Sequence, residues 1–131
     1  MKMKICKMRF SVEKKYLIEN VDGIVEVRFI ENPEAQDICD SLDDAAQINP
    51  NNLRLWDFSN GADLASKDIE KVAEHAKTIQ IQSGKVAIVA PQNLTYGLFR
   101  MYQVYRKEER IQLNVFRSAH EAREWLKGLS P

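Results

Sequence analysis

The chain has 131 residues, 44% hydrophobic and 29% charged, the size and composition of one globular domain that can bury a core without a metal or disulfide staple. Its 19 basic and 19 acidic side chains cancel, which removes the whole-molecule electrostatic case for binding nucleic acid or an anionic membrane surface. Cys6 and Cys39 are too sparse for a secreted disulfide framework. No apolar run is long enough for a signal-peptide core or for the roughly 18 residues of a membrane span, so the expectation is a cytoplasmic protein with no membrane insertion and no nucleic-acid partner.

Met8, Phe10 and Val12 alternate with polar residues, as a further edge strand or an extended arm would. Residues 1–14 are therefore set apart as a basic N-terminal arm or extra edge strand of a single domain spanning 1–131. Lys15 to Val21 and Ile24 to Ile30 are short runs rich in Tyr, Ile, Val and Phe. They flank Asp22-Gly23, which tolerates the positive φ of a tight turn, so the pair predicts an antiparallel hairpin. Asn32-Pro33-Glu34 then offers a cap, a first-turn proline and an acid for the positive helix end. The helix it opens repeats Ala35, Ile38, Cys39, Leu42, Ala45 and Ala46 on one stripe and stops at Asn49-Pro50.

Leu53 to Phe58 reads as a strand, and Ser66 as the cap of a helix carrying Ile69, Val72, Ala73, Ala76 and Ile79 on one side, closed by Gly84. Lys85 to Ala90 is a nearly unbroken apolar run stopped by Pro91, the pattern of a strand covered on both faces. Asn93 or Thr95 can cap a third helix running to about Lys107. Ile111 to Phe116 is a last strand, and Ser118-Ala119-His120-Glu121 is a capping box for a helix burying Ala122, Trp125, Leu126 and Leu129. The order β-β-α-β-α-β-α-β-α implies an α/β fold. Its sheet is mixed and mostly parallel, flanked by helices, with the hairpin as its antiparallel edge.

Charge is uneven along this order. Residues 1–15 hold six bases against Glu13, whereas residues 31–50 hold six acids and no base; the two runs can attract each other or merely keep their surfaces solvated. Catalytic signatures are missing. The five glycines are scattered singly, so neither phosphate-binding fingerprint is present. No serine has a nucleophile-elbow neighbourhood. His75, His120 and the two cysteines lack metal-ligand spacing. No cofactor, metal or enzymatic activity is expected, and Cys39 belongs to a core stripe.

The third helix is less ordinary. Leu94, Leu98, Met101 and Tyr105 predict its buried stripe, while Tyr96, Phe99 and Tyr102 form a second aromatic line. That line fits either wide coverage by the fold or a ligand pocket or partner surface. Gly97 in mid-helix costs roughly 1 kcal/mol against alanine, which suggests close approach of another backbone or a ligand. Arg100 beside Phe99 suits an anion or a surface ion pair.

From Leu55 onward three stretches are distinctive: L-W-D-F-S-N-G-A-D-L-A-S-K-D-I, K-V-A-I-V-A-P-Q-N-L-T-Y-G-L-F-R-M-Y and N-V-F-R-S-A-H-E-A-R-E-W-L. In their order they resemble the bacterial SpoIIAA-like proteins, a family of STAS-type domains described as related to the CRAL-TRIO lipid-binding fold. The resemblance covers roughly residues 15–129. It implies a small α/β domain that is non-enzymatic and acts by binding: a regulatory or adaptor module with a protein partner, or, through the CRAL-TRIO relation, a carrier of a small apolar or lipid-like ligand. In the family's anti-sigma-factor antagonists a serine of a D-S-S-G segment is phosphorylated by a partner kinase. Counted from Asp57, Ser66 matches the first serine of that segment, while Lys67 stands where the phosphorylated one would be, a departure from the pattern.

Loops after the strand carboxyl ends should converge on one rim, where open parallel sheets place their binding crevices. The expected binding residues are Asp57, Ser59, Ser66, Asn93, Tyr96, Phe99, Arg100 and Tyr102, with Ser66 a possible phosphorylation site. Helix N-termini on the rim favour an anion or an acidic partner segment, and Asp57 would orient a donor. The apolar surplus of the third helix and the edge near residues 8–12 also offer contacts for a homodimer.

Overall fold

The computed structural model describes residues 15–48, 53–79, 84–106 and 111–128. In chain order its elements are β1 (Tyr16–Val21), β2 (Ile24–Phe29), α1 (Ala35–Ile48), β3 (Leu53–Asp57), α2 (Ser66–Thr78), β4 (Gly84–Val89), α3 (Asn93–Tyr105), β5 (Ile111–Phe116) and α4 (Ala119–Leu126). This is the order read from the sequence. The edge strand expected near residues 8–12 lies outside the described residues.

Asp22 and Gly23 both take positive φ, 52° and 85°, so the two-residue turn twists with its strands and closes the hairpin at Val21↔Ile24. The five strands lie side by side in sequence order, β1-β2-β3-β4-β5. Among the described residues, only β1 and β2 pair antiparallel. Three successive crossovers between neighbouring parallel strands share one hand and stack α1, α2 and α3 on one face of the sheet. The fourth helix closes the other face, touching β3, β4 and β5. The unbroken run in β4 follows from this sandwich: Val86 and Ile88 join the core under α1–α3, Ala87 and Val89 the core under α4.

The two cores differ in kind. Under the three helices, Phe29 at the end of β2 stacks on Phe58 after β3 at 4.6 Å between ring centroids. Phe58 stacks on Phe99 of α3 at 4.2 Å. Tyr16 and Tyr102 extend the stack at 5.7 and 6.0 Å. Under α4 the fully buried layer is aliphatic, with Ile24, Leu55, Ala87 and Val89 against Ala122 and Leu126, and the Phe116–Trp125 pair, 5.5 Å between centroids, packs at its margin. Polar clamps hold it: Arg123 donates to both carboxylate oxygens of Glu26, at 2.7 and 2.9 Å, and Lys85 lies 5.2 Å over the Trp125 ring.

Helix ends depart from the expected caps. In α1 the backbone N–H of Glu34 donates to the Asp37 carboxylate at 2.7 Å, so the cap sits two residues after Asn32. Ala65, not Ser66, caps α2; the Asp68 carboxylate accepts the Ala65 N–H at 2.9 Å, which satisfies the end without the serine. Gln92, not Asn93 or Thr95, precedes α3. The Ser118 hydroxyl does accept from Glu121 N–H, at 3.3 Å. Gly84 does not close α2, which ends at Thr78; it opens β4.

The attraction between the two charge runs is visible where the basic run enters the described residues, in the Lys15–Asp37 ion pair at 3.7 Å. Other α1 carboxylates meet Tyr16 and His75, through Asp44 and Asp43.

Candidate functional site: the rim at the strand carboxyl ends

β3 runs into the rim through Asp57, whose Oδ1 accepts both the backbone N–H and the hydroxyl of Ser59. That Asx-type turn shapes the loop. Asn60 then donates its amide to the carbonyl of Phe29 at 2.9 Å, tying the loop to the end of β2. Gly61 follows with φ of 92°. A Cβ there would meet Gln92 Oε1 at 3.1 Å and Asn32 Oδ1 at 3.3 Å, so the turn needs glycine for its backbone, and the side chains of Asn32 and Gln92 close over it.

At the other end of the rim, Arg117 emerges from β5 and lies over Tyr96, its guanidinium carbon 4.2 Å from the ring centroid. It donates to Asn93 Oδ1 at 2.6 Å and, at 3.4 Å, to the carbonyl of Pro91. Arg100, one turn further along α3, donates to the Tyr96 hydroxyl at 3.4 Å. Neither guanidinium has a carboxylate within ion-pair distance among the described residues, whereas Lys15, Arg123 and Lys127 each do. Arg117, bonded to Asn93, stands at the first turn of α3, at the positive end of its dipole, and Arg100 lies near the middle of the helix. Among the described residues the two guanidiniums are therefore without a matching acid, and their planar forks suit a carboxylate or phosphoryl group.

The structure thus brings Asn93, Tyr96 and Arg100 together and adds Arg117, which was not among the expected binding residues. Its place directly after β5 was legible; its stacking on Tyr96 was not. Asp57 and Ser59 form a unit at the other end. On β3, Asp57 projects opposite to Trp56 and so faces the α4 side, where its charge, after that of Glu26, helps to hold the Arg123 guanidinium protonated. Ser66 is exposed at the first position of α2.

Phe99 and Tyr102 require correction. They are 2% and 6% exposed, part of the aromatic stack, because the face of α3 turned to the sheet is the line Thr95, Phe99, Tyr102. Leu94, expected inside, is 73% exposed, and Leu98, Met101 and Tyr105 are only partly covered. The larger rings win the interior because they bury more area per residue. Gly97 faces open space, with nothing among the described residues within 4 Å of where a Cβ would be, so none of their backbone approaches it.

The remaining reactive groups are tied into structure. Cys39 is buried, and burial pushes its thiol up, away from the reactive thiolate. His75 pairs with Asp43 at 2.9 Å and His120 with Glu124 at 3.1 Å. Among the described residues no three His, Cys, Asp or Glu side chains converge as a metal site requires, and no helix is long and apolar enough to cross a membrane.

No family model and no curated protein matches this sequence. A solved structure does: the anti-sigma factor antagonist SpoIIAA in its unphosphorylated form, at 14% identity, with a TM-score of 0.53 over 88% of this chain and 99% of its own. The fold is accordingly SpoIIAA-like, a mixed, mostly parallel α/β sheet flanked by four helices.

Proposed function

We propose that the chain is a non-enzymatic regulatory or adaptor module that binds a protein through the rim at the carboxyl ends of β3, β4 and β5. The observation that carries this reading is the Arg117–Tyr96–Arg100 group. Its two exposed guanidiniums stand around one ring and lack an acidic partner among the described residues. Anionic side chains of a partner would supply that charge. The fold supports the same reading, since the SpoIIAA it resembles is an anti-sigma factor antagonist and acts on another protein. Asp57 and Ser59 would receive donors from the same partner at the other end of the rim.

Ser66 suits regulation because its hydroxyl is exposed and not needed for capping. A phosphoryl group there would meet the first-turn amides of α2 and Lys67 but also the Asp68 carboxylate, so it would redistribute charge on this rim. The alternative, a carrier of an apolar ligand, calls for a cavity of roughly 300 Å³ or more. The space beside the aromatic stack, lined by Ile38, Leu42, Trp56 and Phe58 among others, is about 20 Å³, room for about one water, and lends the carrier no support.

Cross-linking and affinity capture at native expression test the proposal. A stoichiometric protein partner is expected, with recovery falling at least tenfold in Arg117→Glu, several-fold in Asp57→Asn or Ser66→Glu, and unchanged in His75→Gln. Absence of any stoichiometric protein partner, or equal losses in His75→Gln and Arg117→Glu, overturns it.

A further inference from the structure

The outward face of α3 carries the two most exposed large hydrophobic residues among the described residues. Leu94 and Val104, 73% and 72% exposed, are separated by the exposed Gly97 and the half-buried Met101. The spacing of these four positions is three, four, three, the seam spacing of helices that pack along their length. Singly exposed apolar residues are ordinary on any surface. Here the two most exposed large ones stand in one row on one helix, about 15 Å apart at 1.5 Å rise per residue.

Gly97 fits the same row. It lowers the helical propensity of α3, yet neither a positive φ nor any atom of the described residues requires it. A missing Cβ at the middle of an outward seam lets a partner helix approach closely.

Charge names the occupant. α3 contains no acidic residue, Asn-Leu-Thr-Tyr-Gly-Leu-Phe-Arg-Met-Tyr-Gln-Val-Tyr, and its row is flanked near the middle by Arg100 and towards its start by Arg117 over Tyr96. Glu70 of α2 meets this helix at Tyr105, at the opposite end. A second copy would bring the same two arginines to the same seam and repel itself. The chain's own acidic amphipathic helix, α1, has already buried its apolar stripe in the core.

We propose that the outer face of α3 docks an acidic amphipathic helix of a partner protein, its apolar row seated on Leu94, Gly97, Met101 and Val104 and its carboxylates on Arg100 and Arg117. Helix-in-groove recognition of this kind reads apolar anchors at three- and four-residue spacing and uses charge for orientation. The inference rests on the protein-binding reading and specifies its partner's chemistry.

The test uses the full chain and two synthetic 18-residue helical peptides with leucines in the same three-four spacing. One is flanked by glutamates and the other by lysines, and binding is followed by fluorescence anisotropy. The glutamate peptide should bind saturably and at least tenfold more tightly than the lysine peptide. The double variant Leu94→Lys with Val104→Lys, both on exposed positions, should lower that affinity at least tenfold, and Arg100→Glu with Arg117→Glu should invert the order of the two peptides. No binding of the glutamate peptide, equal binding of both, or indifference to the double lysine variant overturns the proposal. So does a dimer in sedimentation that Leu94→Lys breaks, since the face would then serve self-association. In the capture experiment, a protein partner recovered undiminished by the double lysine variant would sink this inference while leaving the adaptor reading standing; recovery of none would sink the adaptor reading itself.

Discussion

The two faces of the sheet are closed by different physics. Under α1, α2 and α3 the closure is continuous and aromatic, from Tyr16 through Phe29, Phe58 and Phe99 to Tyr102. On the other face one eight-residue helix covers β3 to β5 and is fixed by Arg123 on Glu26, while Leu17 and Arg28, paired in register at the β1–β2 edge, stay exposed. Stability should therefore reside mainly in the first face, and the second should answer to removal of single polar clamps. The aromatic face also ends directly beneath the rim, because Phe29 and Phe58 are the residues from which the rim loops depart.

Truncation of the central ring is the strongest way to break this contrast. Phe58→Ala should cost about 3–5 kcal/mol, the range for large aromatic deletions in a packed core, measured by urea unfolding. A cost near 1 kcal/mol would mean that the stack is not the structural centre. On the opposite face Arg123→Ala should cost about 1–2 kcal/mol. Glu26, 11% exposed, loses a two-pronged partner, but the Arg123 side chain is 40% exposed and solvent screens part of the effect. Arg123→Lys should recover only part of that loss, because a lysine cannot reproduce the fork.

Tyr16 sharpens the comparison, because it puts a polar contact at the margin of the aromatic face. Burial, followed by its hydrogen bond to Asp44 and the nearby α1 carboxylates, raises its pKa well above the ordinary 10.0. A raised folded value means that the neutral phenol is favoured in the folded state, so its stabilisation is complete below pH 10 and is lost as pH rises beyond it. Tyr16→Phe should cost about 1 kcal/mol at neutral pH and flatten the alkaline fall in stability measured by denaturant titration between pH 9 and 11. At the helix ends the effect is smaller and selective: Ser118→Ala should cost about 1 kcal/mol and Ser66→Ala under about 0.5 kcal/mol, a difference readable in thermal midpoints.

Strand order and turn chemistry were legible because they are written in local pattern. Asp22-Gly23 can only be a turn of positive φ, and the apolar run at Lys85 to Ala90 has to be covered on both sides. The α3 stripe was misjudged for a physical reason. Leu94, Leu98, Met101 and Tyr105 and the set Thr95, Phe99, Tyr102 are both helical rows, so periodicity alone does not say which faces inward; the decision lies in Phe29, at the end of β2, and Phe58, just after β3, both far away in sequence, which offer a ring a place to stack. Caps failed similarly at Ser66, since Asp68 satisfies the Ala65 amide from within the helix. Of the candidate site, Asn93, Tyr96 and Arg100 were visible as residues, but their assembly around Arg117 depends on β5 lying next to β4.

The unbroken succession β1-β2-β3-β4-β5 also dictates the sequence of events during synthesis. Every strand docks on one made just before it, so the sheet can grow at one edge as the chain lengthens, although each parallel pairing must wait for its crossover helix and is intrinsically slow to form. The face served by α4 is the exception. Ile24, Leu55, Ala87 and Val89 remain uncovered until residues 119–126 have been made, and Arg123 must then find Glu26 across 97 positions of chain. A nascent chain halted before residue 119 would present a one-sided sheet with a sticky back, and that is the stage at which a chaperone would be needed most.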